Sequence, residues 1–429
     1  MSHPSPAEPA RVTRAVVAAA VAGNAIEFYD FVSYAYFAVY IGKTFFPATS
    51  AYLSLLASVS VFGVGFFARP LGAWLIGMYA DRRGRRPALL LTMGMMTAGT
   101  LGLAVTPSYA AIGAAAPLLL VAARLVQGFA LGGDVGPSTA FLLEIAPAHR
   151  RAFFTSWQNA SQGVSAFVAG ALGLVLTSTL SPAQMQEWGW RLPFALALLL
   201  IPVVLVLRRN MPETLEMPAV EGGGWSARPA APGLGHLRLV VLGILVFAGA
   251  TIATYVSTYM ATYATATLKL PPTIAMAATM AVGVSLLVGA LAGGWWSDVA
   301  GPAWPALAPR VGLVVLAPAG LQLLVAHPGL VTLLAVCAML GALTGMTSSA
   351  ALYLLSERLA LARRASGIAL AYAAATAVFG GTTQAVVTWL IAATGSPIAP
   401  AWYASATGLA SVVALAMLLR PPRAPAGTA

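Results

Sequence analysis

Twelve acidic residues serve a chain of 429, and most of them fall in polar connecting stretches. The few that interrupt apolar runs are therefore the first places to look for chemistry. Glu27 and Asp30 stand three residues apart in a run otherwise rich in Ala, Val and aromatic residues. On a helix that spacing puts both on one face, roughly 18 and 22 Å from a start at residue 15 for a rise of ~1.5 Å per residue. Asn24 and Tyr34 extend the stripe. A carboxylate so placed in an apolar medium is costly unless it is paired, hydrated or protonated. The two acids could hold and release a proton, or form a structural pair tied to neighbouring helix ends or to Arg69.

A second stripe combines Arg124, Gln127, Asp134 and Ser138, at offsets of 0, 3, 10 and 14. A guanidinium is always charged, and its planar fork matches a carboxylate. Arg124 could anchor a substrate carboxylate, or pair internally with Asp134 or an acid of the first stripe. Gln158, Ser161, Gln162 and Ser165 share a third face, whose neutral groups suit a multi-oxygen substrate or hydrogen bonds between helices. Further along, Tyr255, Tyr259 and Tyr263 repeat at four-residue spacing beside Thr254, Thr258 and Thr262. Thr344, Thr347 and Ser348, then Thr382, Thr383 and Gln384, add more neutral groups. On this reading the second half of the chain holds no charge within an apolar run, so ion chemistry belongs to the first half.

The elements that must position these groups are membrane helices. Hydrophobic residues make up 59% of the chain and charged ones 8%, against ~25% charged in ordinary soluble domains. About twenty apolar residues cross a ~30 Å hydrocarbon core. Twelve spans are expected, at 15–40, 53–79, 88–105, 111–143, 153–179, 190–208, 238–266, 273–297, 311–326, 329–355, 366–393 and 401–419. The net charge of +11 does not point to nucleic acid, because the basic residues follow the membrane topology. Arg82, Arg83, Arg85, Arg86, Arg150, Arg151, Arg310, Arg363 and Arg364 fall on the side of both termini, while Lys43, Arg191 and Lys269 fall on the other. The excess of positive charge places both termini in the cytoplasm of a multi-pass inner-membrane protein.

The expected organisation is a tail over 1–14, a six-helix bundle over 15–208, a cytoplasmic linker over 209–237, a second bundle over 238–420 and a tail over 421–429. The two halves echo each other. Gly72 to Gly84 and Gly289 to Gly301 share both apolar glycines, the alanine, the aspartate (Asp81, Asp298) and the closing glycine, and Glu144…Arg150-Arg151-Ala152 reappears as Glu357…Arg363-Arg364-Ala365. Such repetition is typical of transporters built from related bundles. One cysteine and four scattered histidines offer no metal site. Gly42-Lys43-Thr44 lacks the upstream glycine of a P-loop, and Gly63-x-Gly65-x-x-Ala68 lacks a βαβ context. No cofactor is expected apart from the proton as coupling ion, and no nucleophile–base constellation suggests an enzyme.

Gly77-x-x-x-Asp81-Arg82-x-Gly84-Arg85-Arg86 resembles the loop 2–3 signature of the major facilitator superfamily, and Arg124-x-x-Gln127-Gly128 resembles its fourth-span motif. Gly23-Asn24-Ala25-Ile26-Glu27-Phe28-Tyr29-Asp30-Phe31, Arg69-Pro70-Leu71-Gly72-Ala73 and Gly128 to Asp134 are similar to the metabolite–proton symporters within it. Tyr40 to Pro47, Thr155-Ser156-Trp157-Gln158 and Glu187 to Arg191 look closest to the citrate and tricarballylate members. The resemblance implies an all-α fold of twelve transmembrane helices in two pseudo-symmetric bundles, a monomer by default, and a gate latch at the loop 2–3 motif. Asp134 stands where the family usually has glutamate. Loop 8–9 keeps Asp298 and Gly301 but lacks the arginines, so a latch there is expected to be weaker.

The function these features imply is proton-coupled symport of a small carboxylate by alternating access. Glu27, Asp30 and Asp134 are the expected proton carriers. Asn24, Tyr34, Arg124, Gln127, Gln158, Gln162, Tyr255, Tyr259 and Thr347 are the expected substrate contacts. The gate comprises Gly77, Asp81, Arg82, Gly84, Arg85, Arg86 and Asp298. A symporter of a betaine- or proline-like zwitterion would use aromatic faces for the cation, and a proton/drug antiporter would use the same acids with opposite linkage.

Overall fold

In the computed structural model the described residues are 14–48, 50–83, 85–134, 138–139, 142–143, 145–209, 234–358 and 371–419. The expected C-terminal tail, all but Arg14 of the expected N-terminal tail and most of the expected linker lie outside them. The principal helices are α1 (Arg14–Tyr36), α2 (Ala38–Phe45), α3 (Ala51–Arg83), α4 (Arg85–Val105), α5 (Ala115–Gly132), α6 (Arg151–Thr179) and α7 (Leu192–Arg209). The second half supplies α8 (Leu234–Thr262), α9 (Pro272–Ala300), α10 (Ala303–Ala326), α11 (Leu330–Arg358), α12 (Gly381–Thr394) and α13 (Ala399–Leu419). Among the described residues nine helices are long and apolar enough to cross a membrane, and Leu90–Val105 and Gly189–Val203 are shorter apolar helices. With α1, they make up a twelve-helix membrane fold.

Two expected spans have different limits. The fourth is not continuous over 111–143. Gly113 turns the chain at φ 59°, and α5 ends at the Gly132-Gly133 pair. Asp134 therefore sits in a turn and not on the helical stripe of Arg124 and Gln127. The ninth starts eight residues earlier than expected, with Pro302 as N-cap and Pro305 in the first turn, where its missing N–H costs nothing. Deeper in α10, Pro318 cannot donate to the Val314 carbonyl four residues back. Ser405 of α13 donates to that oxygen instead, at 2.8 Å, which lets the helix run through the proline. Arg310 consequently lies inside α10 at 1% exposure, which corrects its expected place in a terminal-side loop and the expectation that the second half holds no buried charge.

Close backbone approach sets the packing. A Cβ on Gly128 would run into the Gly65 carbonyl, so α5 and α3 meet backbone to backbone beside Arg124. At the seam between the halves, a Cβ on Gly163 of α6 would lie 2.6 Å from the Gly283 carbonyl of α9. In lipid, where apolar surface gains little by leaving its solvent, such contacts are a principal source of helix association. Near one end of this seam Asp298 of α9 reaches α6. Near the other, Thr262 donates to the Ala35 carbonyl at 3.3 Å. Between the two ends the halves face each other across a small cavity.

Candidate functional site

The site is built around α1. Phe31 packs against Phe62 and Phe66 of α3 at 4.6 and 4.9 Å between ring centroids, and Tyr34 stacks on Phe62 at 6.0 Å. This aromatic wall carries two guanidiniums. Arg124 of α5 lies 3.8 Å from the Tyr34 ring centroid and 5.6 Å from that of Phe31. Arg69 of α3 lies 3.9 Å from Phe66 and 4.7 Å from Phe31. Both are buried, at 0% and 3% exposure. Desolvated cation–π contacts of this kind are worth up to about 2 kcal/mol each, which offsets part of the cost of burying the charge.

Asp30 reaches Arg124 through an amide. Gln127 Nε2 donates to Asp30 Oδ2 and, at 3.1 Å, to Thr100 Oγ1, while Gln127 Oε1 accepts from Arg124 Nη1 at 2.8 Å. The i,i+3 spacing of Arg124 and Gln127 makes the second bond local to α5. Acid, amide and guanidinium thus form one chain.

The other expected contacts divide. Asn24 Nδ2 donates to the Gln158 carbonyl at 3.1 Å and to Ser161 Oγ, while Gln158 Nε2 donates to Asn24 Oδ1 at 3.1 Å. These side chains tie α1 to α6. Tyr34 donates to the Ser58 carbonyl at 3.1 Å. Gln162 and Tyr255 line the cavity with Phe28, Val32, Thr258 and Thr344. Tyr259 accepts from Thr388 at 2.8 Å, and Thr347 donates to the Ala306 carbonyl at 2.7 Å, so Thr347 joins α11 to α10. Thr344, one turn away, takes the cavity position. Glu27 and Asp134 are both buried in the first half.

Sequence reasoning treated Arg69 only as an alternative partner for the acids. The structure sets it beside Arg124, close enough for the two cations to repel, and opposite the Tyr255 hydroxyl of the second half. Its signal was visible: it is, with Arg124, one of two arginines inside apolar runs of the first half. Gln384 of α12, one of the neutral groups of the second half, has an amide that is fully buried without a hydrogen-bond partner among the described residues.

The sequence profile of the Major Facilitator Superfamily matches residues 20–383. The chain belongs to this superfamily. A citrate-proton symporter of Klebsiella pneumoniae is 36% identical to it over 93% of this chain and 90% of its own. An alpha-ketoglutarate permease of Escherichia coli strain K12 is 33% identical over 94% and 93%. Among solved structures, the xylose transporter XylE from E. coli in a partially occluded inward-open conformation superposes with a TM-score of 0.72. It is 19% identical over 94% of this chain and 96% of that one, a likeness of fold alone.

As a superfamily member the chain is a multi-pass membrane transporter and not an enzyme. Of the expected gate, one residue lies outside the described residues. Gly84 is not described, and nothing is described of the side chains of Gly77, Asp81, Arg82, Arg85 and Arg86. Asp298 is described. Its two carboxylate oxygens accept from the backbone N–H groups of Ala152 and Phe153, both at 2.9 Å. Arg150, the N-cap of α6, makes no side-chain cap. An acid of the second half therefore caps a helix of the first, where the positive end of the helix dipole favours it.

Proposed function

We propose that the chain is a proton-coupled symporter of a small carboxylate of the citrate or tricarballylate type, working by alternating access in a bacterial inner membrane with both termini cytoplasmic. The observation that carries this reading is the Asp30–Gln127–Arg124 chain. With Asp30 ionised, the Gln127 amide points its N–H at the acid and its oxygen at Arg124. A protonated Asp30 is itself a donor, and the favourable response of the amide is to turn its oxygen toward Asp30. Arg124 Nη1 then loses its acceptor, and with Asp30 neutral the whole guanidinium charge is left for a substrate carboxylate to meet. Proton and carboxylate thereby favour each other's binding, and the linkage is reciprocal. Each excess proton carried inward gains about 2.3 kcal/mol per 100 mV of inside-negative potential.

The two curated relatives described above are named for carboxylates, which supports this substrate class. The expected domain limits fit the same picture, with rocking of 15–208 against 238–420 about the cavity and Glu27 and Asp134 as further proton-binding candidates. Uptake of tricarballylate into proteoliposomes tests the reading. An imposed inward proton gradient should drive accumulation that an uncoupler abolishes. Equal final levels with and without the gradient would remove proton coupling.

A further inference from the structure

The partner-free edges of the two buried arginines say more about the substrate than coupling requires. On Arg124 the atoms without a hydrogen-bond partner among the described residues are Nε and Nη2, and on Arg69 they are the same two, Nε and Nη2. In a guanidinium, Nε–H and the adjacent Nη2–H form the side-on fork that takes both oxygens of one carboxylate. Each arginine thus presents a vacant carboxylate-shaped edge in a site where an unmet charge-assisted donor is expensive. Both cations also face one ring, that of Phe31, and neighbouring α1 residues Phe28 and Val32 line the cavity. Tyr255, on the cavity's opposite wall, faces Arg69.

We propose that Arg69 and Arg124 form a two-point clamp, each holding one carboxylate of the same substrate, so that the site selects molecules with at least two carboxylates on a short chain. The inference rests on the carboxylate reading above but not on its proton coupling. A lone Arg124 would bind monocarboxylates and polycarboxylates by the same contact. With two forks, a second carboxylate meets a second cation and relieves the repulsion between them. Arg69 belongs to the first half and faces Tyr255 of the second, so a substrate held on it lies at the seam that must open and close.

The test is equilibrium binding of tricarballylate, glutarate and butyrate to the purified full-length chain, in wild type, Arg69→Gln and Arg69→Lys. Wild type should bind glutarate at least tenfold more tightly than butyrate, and Arg69→Gln should collapse that ratio toward one. Arg69→Lys keeps the charge but not the fork and should lie between them. It also decides the matter if the glutamine variant does not purify as a monodisperse protein. A glutarate-to-butyrate ratio unchanged in the lysine or the glutamine variant would overturn the clamp, and so would equal affinities in wild type. Binding of none of the three acids to wild type would overturn the clamp together with the carboxylate reading. Selective binding without gradient-driven uptake would keep the clamp and remove only the coupling.

Discussion

The two halves of the molecule descend from a visible repeat yet handle charge in opposite ways. The first half buries Glu27, Asp30, Asp134, Arg69 and Arg124, and joins Asp30 to Arg124 through an amide. The second buries hydroxyls, tyrosines and the Gln384 amide, with Arg310 as its one buried charge among the described residues. All three guanidinium nitrogens of Arg310 lack a hydrogen-bond partner there. Charge bonded into a network can change partners during a cycle. A solitary charge is a cost that the surrounding packing must absorb. Buried charge is thereby concentrated in the first half among the described residues, while the second supplies the opposing wall and the Asp298 cap.

The strongest way to break this contrast is at Asp30. Asp30→Asn cannot gain or lose the proton, so gradient-driven accumulation should fall to the background of empty liposomes, while substrate exchange without a gradient persists. Accumulation at wild-type levels would move coupling elsewhere. Arg124→Gln should come next, weakening tricarballylate binding by about ten- to hundredfold, as expected for loss of a charge-assisted bond worth roughly 1.5–3 kcal/mol. Titration calorimetry reads it directly.

The dependence on pH sharpens the same contrast, and its sign follows from linkage. A site that binds proton and carboxylate together binds more protons in the complex than when empty, so affinity rises as pH falls. Across a range in which the probe is fully ionised, wild type should show that slope, and Asp30→Asn should be flat.

Smaller effects are expected in the second half. Arg310→Met should leave coupling intact and be neutral or mildly stabilising in a thermal melt, since an apolar isostere removes an uncompensated buried charge. Lost uptake in that variant would mean that the second half also carries charge chemistry. Asp298→Ala should cost about 1 kcal/mol at the α6 cap, seen as faster hydrogen exchange at Ala152 and Phe153. Unchanged exchange there would remove the cap as a contact that holds the halves together.

Much of this was legible in the residues, for physical reasons that also mark the limits. Charge within apolar runs marked Glu27, Asp30 and Arg124 as groups to be found buried, because such residues are rare in membrane spans and face the interior. The repeat and the hydropathy exposed the two-bundle plan. The end of α5 at Gly132-Gly133 was hidden, since glycine is common in membrane helices and its role depends on what packs against it. Arg310 was misplaced because the ninth span was expected to start only at 311, while the repair of Pro318 by Ser405 comes from a helix some ninety residues later in the chain. Asn24 and Gln158 showed polarity but not direction. Only the packing of α1 on α6 reveals that they satisfy each other.

The linkage of hydrogen ion to carboxylate is most directly measured as proton movement on binding. Purified carrier in weakly buffered solution at neutral pH, mixed with tricarballylate adjusted to the same pH, should take up protons as the ligand binds. Asp30→Asn should bind the ligand with no such uptake. Binding by wild type without any change in pH, or identical uptake by both proteins, would contradict the Asp30–Gln127–Arg124 chain as the seat of coupling.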